Sequence, residues 1–229
     1  MVAMIETKHY QNQTLVDVAY RALKRDIAER ALLPGQKLVT RELHERYGIS
    51  ETPIKLALNR LITEGLIEST PRKGAKVKNI NWADIEELLD VRKMIETYYL
   101  GSIIANFAAN SSVQKQFLAN LTEHKRSVQH GVDINDYFAV YSLDYEFHRL
   151  FIGCAGNQRA AQVYDNLGTH AYAYYIYGRQ SKEATIAGVL EHEAIYGALM
   201  AADETKLREY VELHLENAKV KISAVLKSL

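Results

Sequence analysis

Gly48-Ile49-Ser50-Glu51-Thr52-Pro53-Ile54-Lys55-Leu56-Ala57-Leu58 decides how this chain is read. Glycine ends one helix, and Ser50 is placed to cap the next. Pro53 falls in the first turn, where its missing N–H has no helical partner to lose. Ile54, Ala57, Leu58 and Leu61 share one face, with Glu51, Lys55 and Asn59 on the opposite side. Just upstream, Thr40 is predicted to cap a short helix running to Tyr47. Helix, tight turn and a second helix with polar residues at its start form a helix-turn-helix.

The flanks extend the motif. Leu15, Ala19, Ala22, Leu23 and Ile27 predict an earlier amphipathic helix, stopped near Leu33-Pro34-Gly35. Downstream, Gly65-Leu66-Ile67-Glu68-Ser69-Thr70 and Gly74-Ala75-Lys76-Val77-Lys78 predict two strands around Pro71-Arg72-Lys73. That is a β-hairpin wing with a basic tip, suited to phosphates or a minor groove.

The formal net charge is zero, but it conceals a split. Residues 1–79 hold 14 Lys+Arg and 9 Asp+Glu, whereas residues 80–229 hold 14 and 19. A basic module therefore precedes an acidic one, and only the first is suited to phosphate. All three prolines, Pro34, Pro53 and Pro71, lie in the basic part. Their absence afterwards permits long helices, since an interior proline removes a hydrogen bond and clashes with the preceding turn. The expected domains are 1–79, a winged helix-turn-helix, and 80–229, an antiparallel bundle of about six helices; the fold class is mostly α. No apolar run reaches the ~20 residues of a membrane span. Met1-Val2-Ala3-Met4-Ile5-Glu6 lacks a signal-peptide pattern, and the lone Cys154 cannot form an intrachain disulfide. A cytoplasmic protein is expected.

From Trp82 onward the apolar periodicity is helical. Asn81 is placed to cap a helix carrying Ile85, Leu88, Leu89, Met94 and Leu100, and further caps are expected at Ser112, Asp133, Asn157 and Asp203. Asp144 and His148, four residues apart, project from one helix face. His192 and His214 fall on two later helices. Three inward imidazoles and one carboxylate from three helices form a candidate site for a first-row divalent metal. His124, His130 and His170 show that histidine also occurs here without an assigned role.

Residues 12–78 resemble the winged helix-turn-helix of the GntR family of bacterial regulators. Carrying the resemblance are Leu33-Pro34-Gly35-Gln36-Lys37-Leu38, Arg41-Glu42-Leu43, Gly48-Ile49-Ser50, Thr52-Pro53, Glu64-Gly65-Leu66 and Gly74-Ala75-Lys76-Val77. It implies operator contacts from Arg41, Lys55 and Lys73; Ser50, Glu51, Thr52 and Arg72 complete the candidate DNA-binding set. Glu51 and Lys55 depart from the arginines usual in the motif. A carboxylate cannot grip guanine as arginine does but can accept from cytosine N4, and lysine lacks the bidentate fork. Glu51 is therefore either a base reader or a first-turn acid serving its helix dipole.

Residues 82–226 resemble the FCD effector domain through Arg92-Lys93-Met94-Ile95-Glu96, Asp144 to Leu150, Gly156-Asn157, Glu191-His192-Glu193 and His214-Leu215. The resemblance implies a metal on Asp144, His148, His192 and His214, and a small organic acid as effector. Zinc is favoured, with nickel or manganese as alternatives. Arg92 is either a pocket cation for a carboxylate or the partner of Glu96, and Tyr172 and Tyr175 are candidate effector contacts. The expected function is a ligand-responsive transcriptional regulator, a repressor in the commoner mode, acting as a homodimer on double-stranded operator DNA and not at a membrane. The alternative is a metal-dependent hydrolase or lyase acting on a small carboxylate, with Glu146 or Glu193 as base; in a third reading the metal is purely structural.

Overall fold

The computed structural model describes residues 14–72, 74–79, 81–129, 134–168, 176 and 180–226. It divides into two compact units, Met1–Ile80 and Asn81–Leu229.

The first unit runs α1 (Leu15–Ala28), β1 (Lys37–Leu38), α2 (Thr40–Tyr47), α3 (Glu51–Thr63), β2 (Ile67–Thr70) and β3 (Gly74–Val77). Thr14 and Asp17 start α1 with a reciprocal capping box. Ala19, Leu23 and Ile27 of α1 and Ile54, Ala57, Leu58 and Leu61 of α3 are buried, and the two helices pack together. Leu15 lies 59% exposed, one turn before that seam begins. Gly48 ends α2 in the left-handed region at φ 67°, where a side chain would be strained, and its N–H donates to the His44 carbonyl. Tyr20 and Lys24 both donate to Glu64, tying α1 to the end of α3.

Two predicted caps differ from the structure. Val39 rather than Thr40 occupies the cap position of α2 and offers no side-chain hydrogen bond. Ser50 does occupy the cap of α3, but its hydroxyl makes no capping bond. The third helical residue, whose N–H such a hydroxyl would accept, is Pro53, which has none. The wing is also larger than a hairpin. β1 adds to β3 antiparallel, giving the order β1-β3-β2, with Lys37 opposite Lys76. Two residues are too few to leave a period-2 signal in sequence.

The second unit contains, among the described residues, seven helices: α4 (Trp82–Tyr98), α5 (Leu100–Ala109), α6 (Ser111–Gln129), α7 (Ile134–Gly153), α8 (Gln158–Asn166), α9 (Lys182–Met200) and α10 (Glu204–Leu226). About six were expected. The run through Leu100 breaks at Tyr99, where φ −100° and ψ 15° leave the helical region. Asn81 caps α4 in a capping box with Asp84, Asn157 caps α8, and Asp203 accepts from the Lys206 N–H in the first turn of α10. Asn110, not Ser112, caps α6, accepting from the N–H groups of Ser112 and Val113; Asp133 lies outside the described residues. α6 packs on α7, α9 on α10 and α6, and α10 on α4. Edge-to-face contacts of Phe117 with Phe107 and Phe147, at 5.5 and 5.3 Å, fill the centre. No described helix is long and apolar enough to cross a membrane.

Candidate metal centre

Four-residue spacing stacks Asp144 over His148 on α7, and α9 and α10 bring His192 and His214 to the same point. One potential ligand atom from each of the four lies within 4.8 Å of every other. Nε2 of His148 is 3.1 Å from Nε2 of His214 and 3.2 Å from Nε2 of His192. Oδ1 of Asp144 lies 3.5 Å from Nε2 of His192. Two donors each ~2.1 Å from one ion, in adjacent positions, stand ~3–3.5 Å apart. The three imidazoles are buried, whereas Asp144 keeps 30% of its side chain exposed.

The outer nitrogens are fixed by carboxylates. His148 donates Nδ1–H to Glu96 Oε2 at 3.1 Å, and His214 donates Nδ1–H to Glu191 Oε2 at 2.7 Å. Each bond leaves Nε2 as the side bearing the lone pair in a neutral ring, the tautomer a metal requires. Burial pushes the pKa of His148 down and that of His192 well down, so both favour the neutral, ligating form. His192 stacks flat on Phe147, with centroids 4.1 Å apart, and its Nδ1 is buried without a hydrogen-bond partner. Lone pairs converging at 3.1–3.2 Å in a buried site repel unless a cation or proton lies among them. The donor set therefore fits a divalent ion.

Glu96 anchors a wider network. Arg92 donates through Nε to its Oε1 at 2.9 Å, and the Tyr164 hydroxyl donates to the same oxygen at 3.0 Å. Burial opposes charge on Glu96, but the Arg92 guanidinium, with His148, holds its carboxyl far below the usual carboxylate range. Arg92 also borders a cavity of about 40 Å³ that reaches Asp144 and His214. It is thus the partner of Glu96 and at the same time a lining residue of the cavity. The candidate contacts Tyr172 and Tyr175 lie outside the described residues, as do His130 and His170.

In the first unit, Ser50, Glu51, Thr52 and Lys55 are all exposed along the start of α3, and Arg41 is exposed on α2. Lys55 pairs with Glu51 at 3.1 Å and Arg41 with Glu45 at 3.2 Å, both in the open. Arg72 is exposed at the wing tip with φ 66°, and Lys73 lies outside the described residues.

Spacing did not single out Glu191, the carboxylate on His214, although it is the neighbour of His192. Nor did it single out His124 and Gln180, which line the cavity. Only the packing of α6 and α10 against α9 distinguishes Glu191 and His124 from other residues of their kind.

A helix-turn-helix with a wing, followed by a helical unit holding an Asp/His₃ cluster beside a cavity, defines a class: a DNA-binding regulator with a ligand-sensing domain. Residues 15–77 match the sequence model of the gntR family of bacterial regulatory proteins, and residues 87–217 match that of the FCD domain. The chain belongs to the GntR family and carries a C-terminal FCD domain. It is 26% identical to the HTH-type transcriptional repressor RspR of Escherichia coli K12 over 217 residues, covering 93% of this chain and 90% of that protein. In fold it is similar to E. coli McbR/YncC (TM-score 0.70, 17% identity, 93% of this chain and 98% of that one). It is also similar to a GntR regulator from Rhodococcus sp. RHA1 (TM-score 0.67, 18% identity, 91% and 97%). The chain is accordingly a ligand-responsive DNA-binding regulator rather than an enzyme. The bases proposed for the hydrolase or lyase reading fit this: Glu146 is exposed, Glu193 pairs with Lys125, and neither borders the cavity.

Proposed function

We propose that this protein is a repressor whose helical domain, residues 80–229, binds zinc and a small organic acid and thereby controls operator binding by residues 1–79. The observation that carries this reading is the convergence of three imidazole Nε2 atoms and Asp144, two of these residues, Asp144 and His214, bordering a cavity. Asp144, His148, His192 and His214 hold the ion. Zinc suits three imidazoles and a carboxylate; nickel or manganese are the alternatives. When bound, the ion offers a Lewis-acidic position to a carboxylate oxygen. Glu96 and Glu191 orient the rings of His148 and His214, and Phe147 holds that of His192. Arg92, with Tyr172 and Tyr175, contacts the acid.

On the DNA side, Glu51, Thr52 and Lys55 face base edges. Arg41, Ser50, Arg72 and Lys73 contact the phosphate backbone. A homodimer presents two such readers to a near-palindromic operator in the cytoplasm. Repression is supported by RspR, a repressor by name.

Native mass spectrometry of untreated protein tests the whole reading, because subunit number, metal and retained acid appear in one spectrum. The expected species is a dimer with one ion per chain. A metal-free monomer would overturn it.

A further inference from the structure

The cavity beside the cluster has a second polar end. His214, Ala218, Lys221 and Ile222 of α10 all border it. Seven residues are two helical turns, so His214 and Lys221 share a face ~10.5 Å apart along the axis. The cavity therefore runs from the Asp/His cluster towards the Lys221 ammonium.

Three groups lining this cavity have unmet bonding capacity. Lys221 is half-buried and makes no ion pair among the described residues. Glu191, whose carboxyl is influenced by its charge, is committed to His214 and Asn217. His124, on α6, is 3% exposed, and its Nδ1 has no hydrogen-bond partner. The amide Nε2 of Gln180 is also buried without one. Buried polar groups are seldom left without a partner, so the pair is unusual within one small cavity. Gly188 borders the same space, and a Cβ there would come within 3.7 Å of Lys221 Nζ.

Lys221 and Gln180 Nε2 offer only donors. The group that satisfies both is an acceptor-only carboxylate; a hydroxyl accepts less and must also donate. We propose that Lys221 and Gln180 form a second anion-binding pole and that the effector is a short dicarboxylate. One carboxylate lies at the Asp144 and His214 end, beside His124, whose ring centroid is 5.7 Å from that of His192, and the other is held by Lys221 and Gln180. This rests on the acid-sensing reading above and narrows it to the diacid class.

Calorimetric titration of the zinc-loaded full chain with butanedioate and with butanoate, acids of equal carbon number, tests it. The diacid is expected to bind ~10–100-fold more tightly, the worth of charged hydrogen bonds at the second pole. Lys221→Met and Gln180→Leu should each shrink that preference while metal content stays unchanged. Equal binding of the two acids by wild type, or a preference undiminished in both variants, overturns the second pole and leaves the acid sensor standing. Binding of neither acid removes the acid-sensing reading and the inference with it.

Discussion

Nε2 of His148 faces Nε2 of His214 across 3.1 Å, while the far nitrogens of the two rings donate to different carboxylates, Glu96 and Glu191. Neutral rings held in this way turn two lone pairs on each other. A cation converts that repulsion into ligation, so metal binding and stability are linked. At a thousandfold excess over Kd, a ligand bound only by the folded state adds about 4 kcal/mol. For a unit of this size that is a rise in Tm of about 8–16 °C. Calorimetry on stripped protein, titrated with zinc, measures it; an unmoved transition would contradict the linkage.

Glu96→Gln preserves shape but removes the charge shared by Arg92, His148 and Tyr164. Breaking a buried pair from one side costs about 3–5 kcal/mol. Urea unfolding should show this loss with and without metal. Metal affinity should also fall by about 10–100-fold, as expected when a ligand's orienting partner is lost. Glu191→Gln acts on a half-buried carboxylate and should weaken metal binding with a smaller stability change. Equal and negligible effects of the two substitutions on affinity would mean that neither carboxylate orients a ligand.

Lys55 pairs with Glu51 on an exposed helix face, a contact weak enough to be exchanged for DNA. Lys55→Ala and Lys73→Ala should both weaken operator binding. The wing substitution should act almost independently of sequence and lower the salt slope by about one. Filter binding across a salt series reads this, and an unchanged slope in Lys73→Ala removes the wing's phosphate contact.

Glu51→Arg should move operator preference if Glu51 faces a base, since arginine grips guanine through O6 and N7. Selection from randomised DNA decides this. Identical winning sites for both proteins would make Glu51 a helix-start acid only.

Much of the fold is visible in the sequence because the signals are local. The i, i+4 step from Asp144 to His148, the apolar stripe Ile54-Ala57-Leu58-Leu61 and the Asn81 cap are each set within a turn or two of helix. What escaped depends on distant partners or on a missing atom. β1 exists through its pairing with β3, the break at Tyr99 follows no proline, and Ser50 fails to cap because Pro53 lacks a hydrogen. In the site, spacing gathers the four candidate ligands. It cannot tell His124, buried at the cavity, from any other histidine, because burial there is set by the surrounding helices.

Elemental analysis of the wild type beside His192→Ala and His214→Ala tests the central claim most directly, with circular dichroism to establish that the helical fold persists. One divalent ion per chain in the wild type, and a clear loss in both variants, is the predicted result. Full metal content in both variants would contradict the assignment of Asp144, His148, His192 and His214 as its ligands.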